Sequence, residues 1–222
     1  MEDIDFIKKF TNSIEVESNI YSCLMIAISD ARKITGRNIE TGKQEFNILV
    51  GNNDFLNPDS FIGIINYLLI LDMIGEIFKK NGFTFGKKNK NKKIGKALKQ
   101  FGGVISDCDI DVIVALRNSL AHNYGLINIP WEVSENGTKR HKFTLINTDC
   151  EFLIKYPPEN NRWDGDFKDK SETTSTEVSK ENLINLIETV FKNLKQDLEN
   201  NEVKLALNDG IDELKARFTI KY

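Results

Sequence analysis

Between Phe61 and Phe78 the chain carries its most apolar stretch, interrupted only by Asn66, Asp72 and Glu76. A segment of this kind must be covered by other parts of the protein. Its interrupting polar groups argue for a core helix over a membrane span. Pro58-Asp59-Ser60 supplies a helix start, and the spacing predicts a helix from there to Lys80. Because that helix is apolar on most sides, it belongs at the centre of a bundle. The chain has 222 residues, 40% of them hydrophobic, enough to surround such an element within one domain carrying an insertion or a small appendage.

Other segments supply the covering helices. Ser13 to Lys33 has Ile20, Leu24, Ile28 and Ala31 at three-to-four spacing and reads as one long helix. Asn38 to Pro58 reads as a long connection with an apolar island at Phe46 to Val50. Lys92 to Phe101 predicts a short helix ended by Gly102-Gly103. Ser106 is an expected N-cap, with Asp109 completing a capping box. The helix it opens should run through Ile110, Ile113, Leu116 and Leu120 and stop near Asn123 or Gly125. Ser179 caps another helix through Leu183, Ile187, Val190 and Leu194. Val203 to Phe218 reads as one short helix or two.

Between these helices the periodicity changes. Leu126–Val133 and Lys142–Ile146 flank Ser134-Glu135-Asn136-Gly137 and predict a β-hairpin, with Phe152–Tyr156 as a third strand. The expected fold is therefore mainly α: a helical bundle with a small hairpin or three-stranded insertion before the C-terminal helices. Residues 1–222 form a single domain in this reading, with 126–156 as the β-rich insertion and 157–178 as a loop.

The three cysteines, Cys23, Cys108 and Cys150, form no C-x-x-C pair; two of them read as buried thiols in a reducing compartment. Glu2, Asp3 and Asp5 lack the basic start of a signal peptide, so the cytoplasm is the expected location, with no membrane association. The net charge of −3 is unevenly spread: Lys79 to Lys99 holds nine lysines and no acid. Lys87, Lys88, Lys90, Lys92, Lys93 and Lys96 are candidate RNA-phosphate contacts, with a solvated loop as the plain alternative.

The strongest chemical signal is Arg117-Asn118-Ser119-Leu120-Ala121-His122. Histidine exchanges a proton near neutral pH, whereas arginine offers a fixed fork of donors to phosphate. Asparagine can hold either group. Asn118 and His122 share a helix face, but Arg117 and His122 lie about 140° apart around an ideal helix. Arginine's length, fraying near Asn123, or a second copy of the helix must close that gap. Structural alternatives stand beside this one: His122 as a favourable charge at a helix C-terminus, or Arg117 paired with Asp72, Glu76 or Asp111. His141 reads as a surface strand residue. There is no His, Asp or Glu cluster at metal spacing, so neither metal nor cofactor is expected. Asp107, Asp109 and Asp111 read as helix-start residues.

The run Leu116-Arg117-Asn118-Ser119-Leu120-Ala121-His122-Asn123-Tyr124-Gly125 resembles the signature of HEPN domains: an arginine, usually followed by a polar residue, and a histidine after four to six intervening residues. The resemblance implies an α-helical bundle, and metal-independent cleavage of RNA by 2′-hydroxyl attack as a toxin or phage-defence effector. It implies pairing of two protomers through the signature helix, and an antitoxin or defence partner. Arg117 would stabilise phosphate, Asn118 would support the site and His122 would be catalytic. Some members are inactive, so a catalytically silent module for RNA or protein binding is the alternative.

Overall fold

The computed structural model describes residues 2–44, 61–85, 92–129, 140–147, 150–169 and 171–221. In chain order these form α1 (Glu2–Asn12), β1 (Glu15–Glu17), β2 (Ile20–Ser22), α2 (Cys23–Ile34), α3 (Phe61–Ile77), β3 (Phe78–Lys80), α4 (Lys93–Phe101) and α5 (Asp107–Asn123). There follow β4 (Ile127–Asn128), β5 (His141–Ile146), β6 (Ile154–Lys155), β7 (Thr176–Ser179), α6 (Lys180–Glu199), β8 (Val203–Leu205), α7 (Gly210–Phe218) and β9 (Thr219–Lys221).

The expected mainly α bundle is corrected by this architecture. The described residues form a mixed α/β structure with nine strands in three sheets. The strands are two to six residues long, too short for a period-2 pattern to declare itself, and most pair with segments distant in sequence. The chain divides into two compact units: residues 1–105 with 186–222, and residues 106–185.

The first unit is built around α3, which packs against α2 and α4. Ile64, Leu68, Leu71 and Ile74 are fully buried at these contacts, whereas Ile62 and Leu69 are exposed. Gly75 lets α4 approach: a β-carbon there would lie 1.8 Å from the Lys93 carbonyl oxygen, so the crossing needs a residue without one. The helix expected over Ser13–Lys33 begins only at Cys23, where Ser22 accepts the Met25 N–H at 3.2 Å. Before it, β1 and β2 turn back at Asn19, whose φ is +61°, and β2 pairs with β9 (Ile20 with Lys221). The helix α1 was not foreseen. The end of the predicted Ser60–Lys80 helix is instead β3, pairing with β8, and Val203–Phe218 resolves into β8 and α7. The apolar island at Phe46–Val50 and the start at Pro58-Asp59-Ser60 lie outside the described residues.

A polar network lies within this unit. Arg32, 5% exposed, grips Glu188 with two bonds of 2.9 and 2.7 Å and donates to the Ile39 carbonyl at 2.6 Å. The Tyr67 hydroxyl donates to the same carboxylate at 2.7 Å. Burial, then the charge and hydrogen bond of Glu188, raise the Tyr67 phenol far above its ordinary range.

The second unit combines α5 with a sheet of order β4-β5-β7-β6. β4 and β5 are antiparallel (Ile127 with Lys142), as a hairpin requires, whereas the expected turn at Ser134–Gly137 lies outside the described residues. The predicted third strand is present as β6 but pairs with β7. β7, parallel to β5, begins at Thr176 inside the segment expected to be loop. The 157–178 segment also holds two 3₁₀ turns, Glu159–Asn161 and Glu172–Thr174. None of the three cysteines is buried: Cys108 is exposed, and Cys23 and Cys150 are half-buried, against the expectation of buried thiols.

Candidate active site

The helix α5 carries the Arg117–His122 segment, and local chemistry fixes both of its ends. Ser106 Oγ accepts the Asp109 N–H at 3.0 Å and donates to Asp109 Oδ2 at 2.7 Å. The other Asp109 oxygen accepts from the Tyr156 hydroxyl at 2.7 Å, tying the helix start to the chain just after β6. Burial, then that bond and charge, raise the Tyr156 phenol well above its ordinary value. At the other end the expected cap was Asn123 or Gly125. The structure uses Tyr124, with φ of +47° and ψ of +41°, a left-handed conformation uncommon outside glycine and asparagine. Its N–H bonds the Leu120 carbonyl at 3.0 Å, and the Gly125 N–H bonds that of Ser119 at 3.2 Å.

Ile110, Ile113, Leu116 and Leu120 are buried, as their periodicity predicts. Ser119 is also buried, its hydroxyl bonded to the Leu116 carbonyl at 2.9 Å. On the other side of the helix Arg117 and Asn118 are half-buried and His122 is exposed.

Arg117 NH1 lies 3.2 Å from His122 Nε2 and 3.3 Å from Asn118 Oδ1. The helix is unbroken through Asn123, so arginine's length, not fraying, closes the 140° gap within one chain. A guanidinium only donates, so His122 Nε2 must accept. Asn118 orients the arginine and not the histidine. Together these residues place a proton acceptor and a fork of donors at one open helix end. The carboxylate of Glu76, one alternative partner for Arg117, is held by Lys93 and Arg217.

The chain matches no protein-family model, no curated protein and no solved structure.

The lysine candidates belong to the first unit. Lys87, Lys88 and Lys90 lie outside the described residues. Lys93 is engaged with Glu76, and Lys96 sits over the Phe85 ring, its ammonium 5.6 Å from the centroid. Lys92 immediately precedes α4. Among the described residues no group of three or more His, Cys, Asp or Glu side chains is placed to hold a metal ion. Among the described residues no helix is long and apolar enough to cross a membrane.

His141, expected at the surface, is 7% exposed. Its Nδ1 lies 3.1 Å from Thr176 Oγ1 and its ring stacks on Phe143 with centroids 5.3 Å apart. The pairing of β5 with β7 sets this environment, which the Arg140-His141-Lys142 context could not reveal.

Proposed function

We propose that the chain is a cytoplasmic, metal-independent endoribonuclease of the HEPN type, acting in a toxin or phage-defence role. The observation that supports this reading most is the 3.2 Å approach of Arg117 NH1 to His122 Nε2 at an exposed helix end. In this mechanism His122 Nε2 takes the proton of a ribose 2′-hydroxyl. The 2′-oxygen attacks the adjacent phosphorus, the bond to the 5′-oxygen breaks, and that oxygen leaves with a proton. The products are a 2′,3′-cyclic phosphate and a 5′-hydroxyl. Arg117 turns its donors from His122 to the non-bridging phosphate oxygens, where charge builds. Asn118 holds the guanidinium during that exchange. A homodimer through α5 would bring a second His122 to supply the departing oxygen's proton. Lysines between Lys87 and Lys96 would add phosphate contacts.

The test is cleavage of mixed RNA in the presence of a chelator. The wild type should yield 2′,3′-cyclic phosphate ends, and His122→Ala should yield none while keeping its fold. A folded His122→Ala protein that still cleaves would overturn the reading. Sedimentation of the same samples tests the dimer.

One observation favours the alternative of a catalytically silent binding module. The unit bearing α5 contains fourteen acidic and nine basic residues, a net charge of −5, which repels a polyanion. Under that reading neither protein cleaves RNA, and a partner binds both equally.

A further inference from the structure

The second unit contains an open cavity of about 280 Å³ beside β5 that the ribonuclease reading does not use. We propose that it receives an arginine side chain presented by a partner polypeptide. The inference is independent of the ribonuclease reading.

The cavity is slightly smaller than the ~300–1,000 Å³ pockets that enclose whole small molecules, a size suited to one long side chain. Phe167, 61% exposed, presents an open ring at its mouth. That ring is held in place: Trp163 meets it edge-on at 5.7 Å, and the indole N–H is fixed to the Asp166 carbonyl at 2.9 Å. A planar cation stacks on such a face better than a compact ammonium does.

Ser175 lines the same cavity at 5% exposure, and its hydroxyl makes no hydrogen bond among the described residues. A buried hydroxyl without a partner is costly. A guanidinium carries five N–H donors and would satisfy its oxygen.

Charge selects a cation over a nucleotide. Asp166 and Glu172 are exposed on the lining, and the Lys168 N–H fixes the Asp166 carboxylate at 2.8 Å. Lys142, the cation among the lining residues, is already held by Asp169 Oδ2 at 3.2 Å and the Ser171 carbonyl at 2.7 Å.

The experiment uses the full chain carrying Trp131→Phe, which leaves Trp163 as its one tryptophan. N-acetyl-arginine amide is titrated against Trp163 fluorescence and the amide resonances of Phe167 and Ser175. The lysine amide, the neutral citrulline amide and uridine monophosphate are titrated in parallel. Saturable arginine binding is expected, with citrulline and lysine weaker. Phe167→Ala should weaken it about tenfold, Phe167→Leu should do the same while keeping apolar volume, and Ser175→Ala should also weaken it. No saturable response to arginine, tighter binding of citrulline or the nucleotide, or undiminished binding by Phe167→Leu would each overturn the proposal.

Discussion

Glu188→Ala would strand the buried Arg32 guanidinium. Glu188 accepts three bonds from side chains, two from Arg32 and one from Tyr67, and the Arg32 and Glu188 side chains are only 6% and 14% exposed. Removing one partner of such a pair costs about 3–5 kcal/mol, chiefly because the other charge stays buried without compensation. With a urea slope near 2 kcal/mol per molar, the unfolding midpoint should fall by roughly 1.5–2.5 M. Glu188→Gln keeps the volume and part of the bonding, and should lose only about 1–3 kcal/mol. Replacing the pair together, as Arg32→Met with Glu188→Leu, should recover much of the loss by removing the stranded charge. Gly42 adds a second probe of the same carboxylate. Its φ is +69° and an added β-carbon would lie 2.3 Å from Glu188 Oε2, so Gly42→Ala should destabilise by about 2 kcal/mol. Urea melts followed by far-ultraviolet circular dichroism and by fluorescence measure all four, and coincidence of the two signals licenses the free energies. A Glu188→Ala midpoint within about 0.5 M of wild type would refute the reasoning, since the pair would then contribute little beyond an exposed one.

The Thr174 hydroxyl, then the Ser171 N–H and Lys142, hold the Asp169 carboxyl below its ordinary value of 3.8. A depressed folded value contributes stability above the ordinary value and loses it as pH falls through the depressed one. Thr174→Val should move the Asp169 carboxyl titration upward by carbon-13 NMR, and an unchanged midpoint would refute the role of Thr174. Partial burial raises the Cys23 thiol, whereas Cys108 is exposed; a thiol reagent at neutral pH should modify Cys108 first, as mass mapping will show. In the proposed ribonuclease, Arg117→Lys should lower kcat about 10²–10³-fold because a point donor cannot replace the fork. Near-wild-type cleavage by that variant would remove Arg117 from the mechanism.

Where a feature depends on a few neighbouring residues, the sequence was enough. Ser106 announces the start of α5 through its own hydroxyl, and the Gly102-Gly103 pair ends α4. The apolar run at Phe61 required burial before any partner for it was known. The residue types at Arg117, Asn118 and His122 likewise defined the chemistry that could occur there. Tertiary structure decided the rest, because it pairs groups far apart in the chain. The strand at Ile20 is completed on its far edge by Lys221 and its neighbours, and His141 is buried where β7 runs beside β5. The cavity beneath Phe167 exists only through folding of the loop expected to be featureless. The Arg117–His122 segment shows what a sequence pattern leaves out. A helical wheel holds Arg117 and His122 apart because it records backbone directions alone, whereas in the structure the long Arg117 side chain reaches around the helix and meets the ring at 3.2 Å.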